Sequence, residues 1–289
     1  MKKNSRFKET LNQCLHNRSF VIGGIMVLSI FLIAIFADVI APYGYADQHV
    51  GPRLQAPSSA FLFGTDELGR DIFSRVVLGT RLALWVAFLG TTLETVLGIV
   101  IGLICGYYGG WVDRFFSFIT DLTWCIPGTI LALAVVTVIG KGLTNTIIAI
   151  SIVSWSAIAR PVRAKTMSLK TMSFVETGRA FGETDLALML RYILPNIIPS
   201  LIVMASMNLP GTIMSTTTLS FLGLGAQAPT PDWGLILSKG VEFISRAPWM
   251  SIFPGLALVY TTIGFSVLGE GLRDILDPHT KSRGGAIDE

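Results

Sequence analysis

The residues able to do chemistry in this sequence fall into three groups, and none has the spacing of a catalytic centre. Asp66, Arg70, Asp71 and Arg75 alternate in sign within one short stretch. Charges so spaced can pair with one another and stiffen a loop; contact with another protein is the other use open to them. Gly64 and Gly69 give the same stretch the glycine spacing of a phosphate-binding loop, which needs a lysine and then a hydroxyl. Arg70 and Asp71 stand there instead, no strand precedes them, and a nucleotide site is excluded. The second group lies in apolar segments: Glu94, Ser154, Asn208, Ser215 and Thr216. A carboxylate at membrane depth costs roughly 2.5–3.5 kcal/mol on insertion scales, so Glu94 faces a partner or an aqueous path. It reads equally as a substrate contact or as a residue protonated or paired within a bundle. The hydroxyls line a polar path or bond to i−4 carbonyls of their own helix.

The third group is Glu176, Thr177, Gly178, Ala180, Gly182, Leu194 and Pro195, in the most polar stretch between long hydrophobic segments. Ser173 and Glu176 have capping-box spacing. Gly182 can stop that helix in the left-handed conformation. Thr184 and Asp185 can start a second helix, which must end or kink at Pro195. Two short helices joined at a glycine make a compact docking knob.

Composition supplies the elements that hold these groups. Hydrophobic residues make up 51% of the 289, charged residues only 14%, and the mean hydropathy is +0.62. Average soluble domains carry about 25% charged residues, so this chain lacks a water-facing surface and reads as a polytopic membrane protein. Six apolar stretches are long enough to span, at 20–40, 82–108, 115–139, 143–163, 197–222 and 251–268. The first is a signal anchor rather than a cleaved signal peptide, since its apolar run is too long and no convincing small-x-small site follows. Gly98, Gly102, Gly106 and Gly110 recur every four residues and form a ridge for close helix contact. Pro127 near the middle of the third span removes one backbone hydrogen bond, which membrane helices tolerate. The fourth span is interrupted by Ser151, Ser154, Trp155 and Ser156, with Pro161 unusual for helix, while Phe221 and Trp233 can anchor a segment at the membrane interface.

Other chemistries are excluded. The net charge of +3 is small and the basic residues are scattered, so nucleic acid is no partner. Cys14, Cys105 and Cys125 lack CxxC spacing, and His16, His49 and His279 are terminal or in loops, so no metal or other cofactor of the chain's own is expected. There is no HExxH or GxSxG motif.

Four signatures then carry a family resemblance. Glu176-Thr177-Gly178, Gly182 and Ile193-Leu194-Pro195-Asn196 resemble the "EAA…G…I-LP" coupling loop of ABC importer permease subunits, with Thr177-Gly178 in place of Ala-Ala. Phe63 to Arg75 resembles the "FGTDxxGRDxxSR" signature of the dipeptide, oligopeptide and nickel type. "WSAIARPVR" and "LSFLGLGAQAPTPDWG" also resemble that type. Glu94 stands where the family more often has a small or hydroxyl residue, Thr216 where it often has an acid, and Glu270 where it usually has Asp. The resemblance covers about residues 20–278.

The resemblance implies an all-α integral membrane protein of the type I importer permease fold. Its six transmembrane helices span residues 20–278, between a cytoplasmic segment (1–19) and tail (279–289). An outer loop occupies 41–80 and a cytoplasmic coupling loop 164–196. It implies translocation of di- or oligopeptides, with nickel, glutathione or another small solute as alternatives. The partners implied are a second, homologous permease forming a heterodimer with this chain, two ABC ATPase subunits carrying ATP and magnesium, and an extracytoplasmic binding protein. An ion-gradient-driven secondary carrier is the reading from another class. Fifteen of the twenty-two lysines and arginines fall on the side assigned to the cytoplasm, which with six spans puts both termini on that side. The resemblance implies that the membrane is the bacterial cytoplasmic membrane.

Overall fold

The computed structural model describes residues 14–276, and within them every named element is helical. The elements are α1 (Arg18–Ile35), α2 (Ala37–Ile40), α3 (Ile72–Tyr108), α4 (Gly110–Cys125), α5 (Gly128–Ile139), α6 (Leu143–Leu169), α7 (Ser173–Ala180), α8 (Asp185–Ala187), a π-turn (Leu188–Ile193), α9 (Leu194–Phe221), α10 (Trp233–Glu242) and α11 (Trp249–Leu276). Five helices among the described residues are long and apolar enough to cross a membrane, counting α8 through α9 as one, and six if the bent pair α4–α5 counts as one more.

Several boundaries depart from the sequence reading. Helix α3 starts at Ile72 rather than residue 82, because Asp71 caps it by accepting the Ser74 N–H at 2.8 Å and the Ser74 hydroxyl at 2.6 Å. The irregular part of the outer segment therefore ends at 71, and residues 72–80 of it are helical. At 37 residues, α3 is about 55 Å long and projects well beyond a hydrocarbon core of about 30 Å. The third span is not one interrupted rod: Pro127 and Ile126 separate α4 from α5 at an angle of 101°. The pair still traverses the bundle. Asp113 near its start is bonded to Arg163 toward the end of α6, while Gly140 after its end accepts from Asn145 at the start of α6. Pro161, by contrast, sits inside an unbroken α6.

Close contact is set where the glycines predicted it. A Cβ on Gly98 would lie 2.5 Å from Ile158 Cβ, on Gly102 2.7 Å from the Ala159 carbonyl, and on Gly106 2.6 Å from Thr166 Cβ. The ridge thus seats α3 directly on α6, side by side and parallel. Gly110 is not part of it; that residue begins α4 and has nothing within 4 Å of its Cβ position. On the other flank, α1 lies against α11, where Gly23 meets Leu268 and Gly271 meets Phe20. Val27, Leu84, Ile213, Trp233 and Phe265 join α1, α3, α9, α10 and α11 in one apolar cluster.

The bundle has two chemically different ends. Helices α7 and α8 sit at one, the knob end, with the last turns of α3, α6 and α11. The segment 41–71 and α10 sit at the other, the cap end.

Candidate functional site

At the knob end, α7 terminates as expected. Gly182 has φ 81°, its N–H bonds to the Arg179 carbonyl at 3.0 Å, and the Glu183 N–H reaches back to the Gly178 carbonyl at 3.1 Å. These two bonds satisfy carbonyls that the helix end would leave orphaned. The start differs. Met172, not Ser173, is the N-cap, no side chain caps it, and the Glu176 carboxylate makes no capping-box bond. Ser173 already lies inside the helix, where its carbonyl accepts from the Thr177 hydroxyl at 2.8 Å. Thr184 does cap α8, accepting the Ala187 N–H at 3.3 Å.

The second helix does not end at Pro195. A single turn of π-helix precedes it, in which the Leu194 N–H reaches Met189 O, and α9 continues to Phe221. Pro195 lacks an N–H and sits in the first turn of α9, where that donor is not needed. The knob is therefore rigidly continuous with a membrane helix. Its inner face is packed: Val175, Leu188, Met189, Ile193 and Ile197 are buried together with Leu103 and Val162. Gly178 is buried because Leu188 Cδ2 would lie 2.9 Å from any Cβ there. The outer face is bare. Phe181 is 85% exposed and Leu186 62%, with Met172, Phe174 and Leu190 also exposed beside Glu176, Thr177, Ala180 and Gly182. Large apolar side chains clustered on an exposed surface are the kind of patch that interaction sites carry.

At the cap end the charged residues are buried instead. Arg70 donates to Asp66 Oδ2 at 2.5 Å and to Glu67 Oε1 at 3.0 Å, and Asp66 also accepts the Leu68 and Arg70 N–H groups at 2.9 Å. The self-paired network of four is realised only in this half. Asp71 serves as the helix cap, and Arg75 donates to the Tyr45 carbonyl at 3.1 Å. Trp233 is not an interface anchor: it is buried, with its N–H on the Val76 carbonyl at 3.0 Å. Trp249 holds the Thr65 carbonyl at 3.1 Å, and Phe63 stacks on Phe253 with centroids 4.0 Å apart. Asp232 caps α10 through the Leu235 N–H at 2.9 Å; burial pushes its carboxyl above the ordinary value, against the Leu235 and Ser220 bonds that pull it down. Helix α10 begins directly after the prolines at 229 and 231.

The polar residues of the spans do not form one continuous line within this chain. Glu94 is 2% exposed and accepts from the Thr212 hydroxyl at 3.2 Å, with Thr91 bonded to the same hydroxyl at 3.2 Å. This is a bridge between α3 and α9. Ser154 and Ser215 come together elsewhere, with Thr129, in a cleft of about 250 Å³ that the bend before Gly128 opens between α5, α6 and α9. Thr216 is buried and donates to the Thr212 carbonyl at 2.7 Å, and Asn208 is half-buried with its carbonyl accepting from Thr212. Thr212, Thr216 and Thr218 thus all take the i−4 bond.

Sequence reasoning missed the polar contacts that tie these parts together. Tyr107 donates to Asp185 at 2.6 Å, Arg163 forks onto Asp113, and Arg160 pairs with Asp121 at 2.5 Å while lying over the Trp124 ring. Each joins residues distant in sequence, and no spacing rule could find the partner.

Comparison with known proteins gives a consistent result. A family model described as "Binding-protein-dependent transport system inner membrane component" matches residues 98–282, and one described as "N-terminal TM domain of oligopeptide transport permease C" matches residues 5–57. A dipeptide transport system permease protein of Alkalihalophilus pseudofirmus is 42% identical over 278 residues, 96% of this chain and 91% of the relative. A glutathione transport system permease protein of Pectobacterium atrosepticum is 40% identical over 277 residues, 96% and 92% of the two chains. Its namesake from Escherichia coli is 43% identical over 265 residues, 90% and 86%. Among solved structures, a chain of the MetNI methionine ABC transporter superposes with TM-score 0.54 at 20% identity, covering 71% of this chain and 97% of its own.

Proposed function

This chain belongs to the family of binding-protein-dependent transport-system inner-membrane components and is an ABC importer permease, and from that premise we propose that it moves short peptides across the membrane in response to ATP hydrolysed by partner subunits docked on the knob. Membership removes the secondary-carrier alternative. The bare apolar face of α7 and α8 carries the reading: a rigid protrusion backed by a packed core, continuous with α9, exposes Phe181 and Leu186 to whatever binds there.

Two ABC ATPases, with ATP and magnesium held on them, would engage two such knobs, one from this chain and one from a second, homologous permease. The knob end then faces the cytoplasm, with both termini on that side, and the cap end faces an extracytoplasmic binding protein. ATP-driven closure of the ATPases would displace α7 and α8, and the π-turn would pass that displacement to α9. Tighter binding of ATP by one arrangement of the spans than by the other supplies the bias. Short peptides fit best as substrate because relatives carry dipeptide and glutathione names, and both solutes are small zwitterions with amide groups. The cleft holding Ser154, Ser215 and Thr129 offers such a solute hydroxyls without a fixed charge. Nickel or another small solute is the alternative.

The test is purification of the complex from mild detergent, with mass spectrometry and an ATPase assay. Recovery of a second permease and an ATP-hydrolysing subunit, both lost when Glu176–Gly182 is disrupted, is the expected result. A homogeneous chain with no ATPase activity attached would overturn the docking reading.

A further inference from the structure

The knob is joined to the bundle by two covalent links, by the apolar base it shares with α3 and α6, and by one polar latch. The π-turn runs into α9, and the short turn at residues 170–172 runs back to α6. Helix α3 has no covalent link to the knob at all. Among the described residues, its hydrogen bonds to the knob and to the turn before it all run through Tyr107 in its last turn. The Tyr107 hydroxyl donates to Asp185 Oδ1 at 2.6 Å and accepts from Arg179 Nη2 at 3.4 Å. Its carbonyl, one that a helix end leaves without a partner, accepts from Lys170 Nζ at 3.3 Å. One residue thus touches α7, α8 and the turn that precedes them.

The position of this contact gives it mechanical consequence. Through the glycine ridge α3 and α6 form one unit, and through Glu94 and Thr212 that unit meets α9. A knob free to swivel on the 170–172 turn would move without carrying α3 along. We propose that Tyr107 is a positioning residue for transport, whose hydroxyl, shared between Asp185 and Arg179, locks the knob to α3 so that displacement of the knob carries the α3–α6 unit along with α9. The inference rests on the reading that ATPase subunits dock on the knob.

Tyr107→Phe removes only the hydroxyl and keeps the ring that packs with Leu103, Val162 and Val175. The experiment uses the complete complex in liposomes and measures two quantities: labelled dipeptide taken up, and ATP hydrolysed. Loss of a hydrogen bond to a charged group predicts that uptake per ATP falls by at least about threefold in Tyr107→Phe while hydrolysis continues. Asp185→Ala gives the same fall, and the double variant is no worse than either single one, because both remove the same bond. A purely structural role would lower the yield of complex and leave the uptake-to-hydrolysis ratio unchanged; that result overturns the proposal. Additive losses, or loss of the ATPase or of the folded complex in Tyr107→Phe, overturn it too, since Tyr107 would then serve assembly. If the wild-type complex lacks an ATPase, the docking reading itself has failed, which the wild-type control reveals separately.

Discussion

The two ends of this molecule solve opposite problems. At the cap end, polar groups are turned inward: Asp66 and Arg70 are buried and bonded, Asp71 caps a helix, and two tryptophans peg the loop to the spans. At the knob end, apolar groups are turned outward, with Phe181, Leu186 and Phe174 exposed above a packed base. A loop that pairs most of its charged groups within the chain is largely complete by itself, although Gln55 Oε1, Glu67 Oε2, Asp71 Oδ1 and Arg75 Nε are buried without a partner. A helix pair that leaves large apolar side chains exposed is complete only with a partner. The contrast separates self-sufficient structure from a surface whose stability and use depend on assembly.

The most severe way to probe it is at the cap. Asp66→Ala leaves the Arg70 guanidinium buried without its closest partner, and such a loss costs about 3–5 kcal/mol. Thermal unfolding of the purified chain should show it as a large drop, with no selective effect on ATPase capture. At the knob, Gly182→Asp forces a side chain into φ 81°, which costs about 1–2 kcal/mol for a non-glycine residue. Crowding is not the cause, because nothing lies within 4 Å of the Cβ position. ATPase copurification should fall sharply, and normal copurification with normal uptake would contradict the docking role. Thr184→Ala removes the α8 cap and should cost about 1 kcal/mol, seen as faster backbone hydrogen exchange confined to the knob. The smallest effect on stability belongs to Phe181→Ser, within about 0.5 kcal/mol for so exposed a residue. That variant should nevertheless lose ATPase capture. If it destabilises the isolated chain as much as Asp66→Ala does, the contrast between the two ends is wrong.

The knob was legible in part because its signals are local. Gly182 and Thr184 do what their residue types require in any context, since a left-handed turn and a helix cap depend on neighbours a few residues away. Ser173 and Glu176 failed as a capping box because the helix starts one residue earlier, and the Glu176 N–H that a Ser173 cap would accept is already bonded to the Met172 carbonyl at 3.1 Å. Pro195 misled for a related reason. Its missing donor called for a helix end or a kink; the helix does not end, and a π-turn just before the proline takes up the irregularity.

What the sequence by itself determined is the membrane class, the apolar spans, the glycine ridge of α3 and the signatures of the family. These rest on composition, on period and on fixed local spacing, which chain folding cannot rearrange. Only the tertiary structure decided where α3 begins, how sharply α4 and α5 bend, and which polar residues meet. Glu94 finds Thr212, Tyr107 finds Asp185, and Ser154 finds Ser215 across gaps in sequence that carry no periodic signal. A buried polar group takes whichever partner packing brings within about 3 Å, and packing is a property of the whole bundle.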